Sequence, residues 1–205
     1  MNDAREPVVI RVPDPSLVAL VGAAGSGKST FAARHFAPAE ILSSDAFRAA
    51  VSGDAADQSA SPAAFKALHA ALDRRLRDRR LTVVDATNLT VRARQALVAR
   101  ATAAAIPAVA IVLDLPAAIV LARNAARRDR VVPEDVVRRH LGEVRRVVSD
   151  GSLTADGFAS VLSSMYPVTT VILAALVLRE RITRTHAIGI GLAAAAVAMI
   201  AIGST

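Results

Sequence analysis

Gly22-Ala23-Ala24-Gly25-Ser26-Gly27-Lys28-Ser29-Thr30 decides how this chain folds. The nine residues fit G-x-x-x-x-G-K-[ST], a loop built to hold phosphate. Gly22, Gly25 and Gly27 allow backbone angles that a side chain would forbid, so successive N–H groups can turn inward onto phosphate oxygens. Lys28 supplies a point charge for the β- and γ-phosphates, and the Ser29 hydroxyl is placed for Mg²⁺. Ser26 and Thr30 complete the stretch expected to wrap the nucleotide. The flanks agree. Leu17 to Val21 is a short apolar run of the kind a buried parallel strand needs. Ser29 to Phe36 can open a helix whose N-terminus faces the anion.

The net charge of +7 is carried almost wholly by arginine, since Lys28 and Lys66 are the only lysines. Arginine suits bidentate phosphate contacts, so the balance favours a polyanionic partner, nucleotide or nucleic acid; an arginine-rich coding bias would look the same. The chain has no cysteine, which excludes disulfides, thiolate-bound metals and thiol catalysis. With 3% aromatic residues, an extended stacking platform for single strands is not expected. No apolar run opens the chain, so no signal peptide is expected.

Outward from the loop, the pattern alternates. Pro7 to Val12 reads as an edge strand closed by Pro13 and Pro15. Glu40 to Ser43 is a second strand candidate, running into a helix at Ser44. Val51 to Pro62 reads as a loop. Ala63 to Arg79 reads as a helix with Phe65, Leu68, Leu72 and Leu76 on one stripe. Leu81 to Asp85 is a strand, Val91 to Ala105 a helix, and Ala108 to Leu113 a further strand. Ala117 to Arg128 and Pro133 to Val148 are helical. Such alternation implies βαβ crossovers: an α/β fold with a parallel sheet flanked by helices, its ligand beyond the carboxyl ends of the strands. Asp45, Asp85 and Asn88 all fall at those ends.

The character changes near Phe158. From there to Leu178 no residue is charged, enough to cross a hydrocarbon core of ~30 Å. After the charged break from Arg179 to His186, Ala187 to Gly203 forms a second apolar run, rich in alanine and glycine that suit close helix packing in a membrane. A two-helix hydrophobic hairpin, transmembrane or buried, is the expectation. The division is residues 1–160 for the phosphate-binding domain and 161–205 for the tail.

Asp45 has two roles open to it: a base for an attacking hydroxyl, or the N-cap of the next helix. Arg48, three residues on, shares its helix face. Asp85, ending an apolar strand, suits Mg²⁺ or its waters better than a simple cap. Thr87 and Asn88 are expected to cap the following helix. Arg123, Arg127, Arg128 and Arg130 form the strongest cationic cluster. They are either a solvated helix end or a lid over transferring phosphate, and the nearby loop favours the lid.

Together these residues resemble the kinase domain of bacterial polynucleotide kinase-phosphatase, among the P-loop phosphotransferases. The likeness lies in Leu17–Phe31, Ile41–Arg48, Asp57-Gln58, Leu81–Asn88 and Asp114-Leu115-Pro116 with Arg123, Asn124, Arg127, Asp129 and Arg130. It covers about residues 7–160. The resemblance implies transfer of the ATP γ-phosphate to a 5′-hydroxyl end of DNA or RNA. It implies that Lys28 and Ser29 hold ATP and Mg²⁺ and that Asp45 is the general base. Arg48 would bind the neighbouring substrate phosphate. Arg127 and Arg130, and more weakly Arg123, would be lid arginines touching the nucleotide.

Val161 to Gly203 resembles the last two helices of EamA-type drug/metabolite transporters instead. The two likenesses meet around Gly157–Leu162, which would serve either as a late kinase strand or as the start of a membrane helix. The expected molecule is an ATP-dependent kinase, cytoplasmic where it binds ATP, with a transporter-like remnant that can attach it to a membrane. A transporter fragment and a small-molecule P-loop kinase or ATPase are the alternatives.

Overall fold

The computed structural model describes residues 12–127 and 131–163. By internal contacts the chain divides into residues 1–164 and 165–205, and everything described lies in the first unit. Most of the expected Pro7 to Val12 strand and the tail hairpin lie outside the described residues; Val12 is irregular.

Among the described residues five strands form one sheet. They are β1 (Leu17–Gly22), β2 (Ile41–Ser43), β3 (Thr82–Asp85), β4 (Ala108–Leu113) and β5 (Ser160–Ser163). All pairings are parallel, in the order β2-β3-β1-β4-β5. From β1 the chain first moves to one side, through β2 and β3, and later to the other, through β4 and β5. That reversal opens a crevice at the carboxyl end of β1, where a parallel sheet takes its ligand.

Among the described residues the helices are α1 (Lys28–His35), α2 (Ser44–Ser52), α3 (Ser61–Arg77), α4 (Val91–Ala103), α5 (Ala117–Ala125), α6 (Glu134–Ser149) and α7 (Ser152–Ala155). Alternate residues of β1 leave on opposite faces. Leu17, Ala19 and Val21 join Leu68, Leu72 and Leu76 of α3 and Leu97 of α4. Val18 and Leu20 join Ala32 of α1. Both faces are thus dry, which is why these strands are continuous apolar runs rather than alternating ones. A third cluster joins Ala23 of the phosphate loop to Val120 of α5 and to Val137 and Leu141 of α6. It carries the packing of α5 and α6 directly onto the loop.

One open alternative is decided and two local expectations are corrected. Asp45 is not a cap: Ser43 precedes α2, its Oγ accepting the Ala46 N–H at 3.4 Å, and Asp45 sits in the first turn. Thr87 and Asn88 do not cap α4. Thr90 does, accepting the Ala93 N–H at 3.2 Å. The helix expected through Arg128 stops at Ala125, because the buried Asn124 amide exchanges hydrogen bonds with the Val132 backbone, donating at 2.7 Å and accepting at 3.1 Å. Arg123 and Arg127 therefore do not share a helix face.

At the meeting point of the two likenesses, Ser160–Ser163 pairs with Val109–Val112. The turn before it is anchored in the core. Phe158 is buried, and Arg94 of α4 donates from Nε to Asp156 at 2.5 Å and from a second guanidinium nitrogen to the Leu89 carbonyl at 2.6 Å. Val161 to Ser163, counted with the tail on sequence, are a sheet strand. Among the described residues no helix is long and apolar enough to cross a membrane.

Candidate active site

The strand register lines up the chemistry. Asp85 pairs with Leu20 of β1 on one side and with Ser43 of β2 on the other. With strands ~4.8 Å apart, the start of α2 stands roughly 10 Å across the sheet edge from the phosphate loop, with Asp85 between them. β4 ends beside Gly22 on the far side, paired through Leu113, and leads into α5.

The loop is tightly held. The Gly22 N–H donates to the Thr87 carbonyl at 3.1 Å. Asn88, buried and at φ +50, donates its amide to the Leu20 carbonyl at 2.8 Å. This polar latch fastens the end of β3 to the end of β1, a role that position in the sequence does not reveal. Gly25 stands at φ +82, and a Cβ there would meet the Val120 carbonyl oxygen at 3.0 Å and Asn124 Cβ at 3.1 Å. Only glycine satisfies both the left-handed backbone and the approach of α5. Gly27, also at positive φ, precedes α1. A Cβ on Gly27 would lie 3.5 Å from a guanidinium nitrogen of Arg123, so Arg123 reaches over the loop.

Lys28 folds back across the loop, donating from Nζ to the Gly22 and Ala23 carbonyls at 3.0 and 2.7 Å. Its pKa is lowered from 10.5 to about 8. Burial is the main cause and Arg127 adds to it, while the Asp85 carboxylate opposes both. Lys28, Asp85 and Arg127 therefore occupy one electrostatic neighbourhood. Ser29 and Thr30 are exposed on the first turn of α1, where the helix dipole favours anions. Ser26 Oγ is buried with no hydrogen-bond partner among the described residues. A buried orphan hydroxyl within the phosphate loop is a fit for a phosphate oxygen.

On the other flank, Arg48 is buried and ion-paired with Asp45, while Asp45 remains partly exposed. The Ala55 carbonyl accepts from Arg48 Nε at 2.9 Å and fixes the guanidinium. The edge thus carries a carboxylate–guanidinium pair, an acidic strand end, the phosphate loop, and the arginines of the α5 region, in that order. Arg130 lies outside the described residues. No group of three or more His, Asp or Glu side chains suited to a metal gathers among the described residues. Ser29 and Asp85 are the residues that could hold Mg²⁺ together with nucleotide phosphates.

A family model described as an AAA domain matches residues 17–150. The chain belongs to that family. Nucleotide binding, typically with Mg²⁺, goes with this AAA domain, whose fold is that of a P-loop kinase-like protein. A second model, the EamA-like transporter family, matches residues 152–202. No curated protein matches the chain. Among solved structures, a chain of the Pnkp1/Rnl/Hen1 RNA repair complex is 28% identical at TM-score 0.58, covering 68% of this chain and 47% of its own. The PezAT toxin–antitoxin system of Streptococcus pneumoniae aligns at TM-score 0.54 and 13% identity, covering 74% and 67%, and shows the fold alone. A gluconokinase from Sinorhizobium meliloti 1021 is 19% identical at TM-score 0.45, covering 74% and 83%. This chain spans less than half the length of the Pnkp1 chain it resembles.

Proposed function

We propose that this AAA domain transfers the γ-phosphoryl group of ATP to the 5′-hydroxyl end of a polynucleotide. The observation that carries the proposal is the Asp45–Arg48 pair, set across the sheet edge from the phosphate loop with Asp85 between. Asp45 accepts the proton of the attacking hydroxyl. The hydroxyl oxygen forms the new P–O bond, the β–γ bridging bond breaks, and ADP leaves. Arg48 holds the acceptor phosphate next to the reacting hydroxyl. Lys28, Arg127 and Arg123, with Arg130, take up charge that develops on the transferring oxygens. Ser29 and Asp85 would hold Mg²⁺, which would screen the charge of the phosphates when bound. The likeness to a chain of an RNA repair complex supports a nucleic-acid acceptor.

Residues 164–205 are proposed as a membrane attachment of the transporter type. Its support is the uncharged stretches before Arg179 and after His186, and the EamA-like match. With Ser160–Ser163 in the sheet, only residues 164–178 remain for a first crossing. At 1.5 Å per residue that is roughly 22 Å, short of a ~30 Å core.

The test gives the full chain γ-labelled ATP, Mg²⁺ and a 5′-hydroxyl oligonucleotide, with Lys28→Ala and Asp45→Ala beside it. Label transfer that Asp45→Ala removes and Lys28→Ala lowers by about 10²–10³ is the expected result. ATP binding without transfer to any oligonucleotide would overturn the acceptor assignment and direct the search to small hydroxylated molecules. Flotation with lipid vesicles, full chain against a chain ending at Ser163, tests the attachment.

A further inference from the structure

A cavity of about 350 Å³ opens between α3 and α4 at the carboxyl end of β3. None of the residues assigned above to ATP, Mg²⁺ or the Asp45–Arg48 pair lines it. Its floor is buried and apolar: Leu68 of α3, Val84 of β3 and Leu97 of α4. One wall is aromatic. Phe65 and His69, one turn apart on α3, hold their ring centroids 6.1 Å from each other. Burial and the Arg100 cation lower the His69 pKa below its ordinary 6.5, so the imidazole is neutral at pH 7 and can serve as a ring face. Arg92 stands exposed at the opening.

The cavity's position ties it to the phosphate loop. Its lining includes Thr87 and Asn88, the two residues hydrogen-bonded to the end of β1 at Gly22 and Leu20. The α3 helix that forms this wall also packs against α2, the helix that carries Asp45 and Arg48. A molecule seated here therefore lies beside the acceptor flank of the reaction edge. The chemistry of the lining narrows its nature. The Asn88 amide nitrogen already donates to backbone carbonyls and the Thr90 hydroxyl already accepts the Ala93 N–H, leaving the Thr87 hydroxyl and the His69 imidazole as the main polar groups within. A polyhydroxylated sugar acid would find most of its hydroxyls unmatched, a heavy penalty for buried polar groups. A flat ring with apolar faces and a few polar edges fits, at the small end of ligand-pocket volumes.

We propose that this cavity seats one nucleobase from the 5′-terminal segment of the acceptor strand, with Phe65 as its stacking face and Arg92 on the adjoining backbone phosphate. The proposal rests on the polynucleotide assignment above and adds a base-holding site to it. Stacking on an aromatic ring tolerates every base, so the site would fix where the strand lies rather than select its sequence.

The experiment uses the full chain and short 5′-hydroxyl oligonucleotides bearing, in turn, 5-iodouracil or an abasic residue at each of the first three positions. Phe65→Ala, Arg92→Ala and the cavity-filling Ala96→Phe are compared with the parent chain, and unchanged ATP affinity reports an intact fold. The expected result is photo-cross-linking from one position into the peptide holding Phe65 and His69. An abasic residue at that position raises KM for the oligonucleotide about tenfold at constant kcat, the scale of one stacked base. Ala96→Phe produces the same rise and is not additive with the abasic change. Transfer with a KM indifferent to Ala96→Phe and to every abasic position would overturn the base site and leave the kinase assignment standing. Cross-linking into the cavity without phosphate transfer would support the base site and overturn the kinase assignment. Neither cross-linking nor transfer would overturn both.

Discussion

Lys28 is at once the most buried cation of the loop and the one asked to meet phosphate. Its lowered pKa sets a sign. Below about pH 8 both folded and unfolded chains carry the proton, and burying that charge works against folding. As pH climbs from about 8 towards 10.5 the folded chain sheds the proton first, so this penalty is relieved. Binding has the opposite dependence, because phosphate needs the cation. ATP affinity of the chain should therefore fall as pH rises through about 8, with one proton taken up per nucleotide bound above it; calorimetry in buffers of different ionisation enthalpy measures this. Lys28→Ala should lower kcat by about 10²–10³, the loss found when one preorganised donor is removed from a developing charge. Asp45→Ala should remove transfer while leaving ATP affinity within about twofold. An ATPase without acceptor would be indifferent to that change. Arg48 also holds the Ala55 carbonyl, so its replacement is expected to loosen the loop after α2 as well as to raise KM for the acceptor.

At the scale of elements, the phosphate loop is shaped by what packs on it as much as by its own glycines. A Cβ on Gly25 would crowd α5, standing 3.0 Å from the Val120 carbonyl oxygen. Gly25→Ala should cost about 1–2 kcal/mol from the left-handed backbone alone, and displacement of α5 should weaken nucleotide binding further. Urea unfolding with and without ATP separates the two effects. Asn124 works in the same region. Its amide bridges to Val132 and so ends α5 before Arg127, which brings Arg127 to Lys28 from a loop rather than from a helix face. Asn124→Ala should leave the sheet intact yet reduce kcat, because the chain bearing Arg127 is no longer tied down. An unchanged kcat would show that Arg127 needs no such support.

For the whole molecule, the strand that closes the sheet is held from a distance. Arg94 and Asp156 are both buried, 62 positions apart in sequence, and join α4 to the turn that feeds β5. Arg94→Met leaves Asp156 without its partner, and removing one member of a buried pair costs about 3–5 kcal/mol. The double substitution Arg94→Met with Asp156→Leu should recover much of that loss, as thermal unfolding of the three variants will show. A chain ending at Ser163 keeps β5 and should keep ATP binding. One ending at Gly157 loses Phe158 from the core and bares the edge of β4, a template for aggregation, and should precipitate on expression.

What could be learned from the amino-acid order was contained in contiguous stretches. The phosphate loop with its strand and helix, the βαβ alternation, and the Asp45–Arg48 spacing each depend on neighbours a few residues apart, so local pattern determines them. Helix starts are less legible. Several adjacent polar residues compete for each cap, and packing chose Ser43 over Asp45 and Thr90 over Asn88. Tertiary structure alone decided the roles of Asn88, Asn124 and Arg94, whose partners are distant in sequence, and the cavity between α3 and α4, which neither helix encodes by itself. It also decided the run from Val161 to Ser163. An uncharged apolar segment suits a strand or a membrane helix equally well until an open sheet edge stands beside it, and the unpaired N–H and C=O groups of β4 supply that edge.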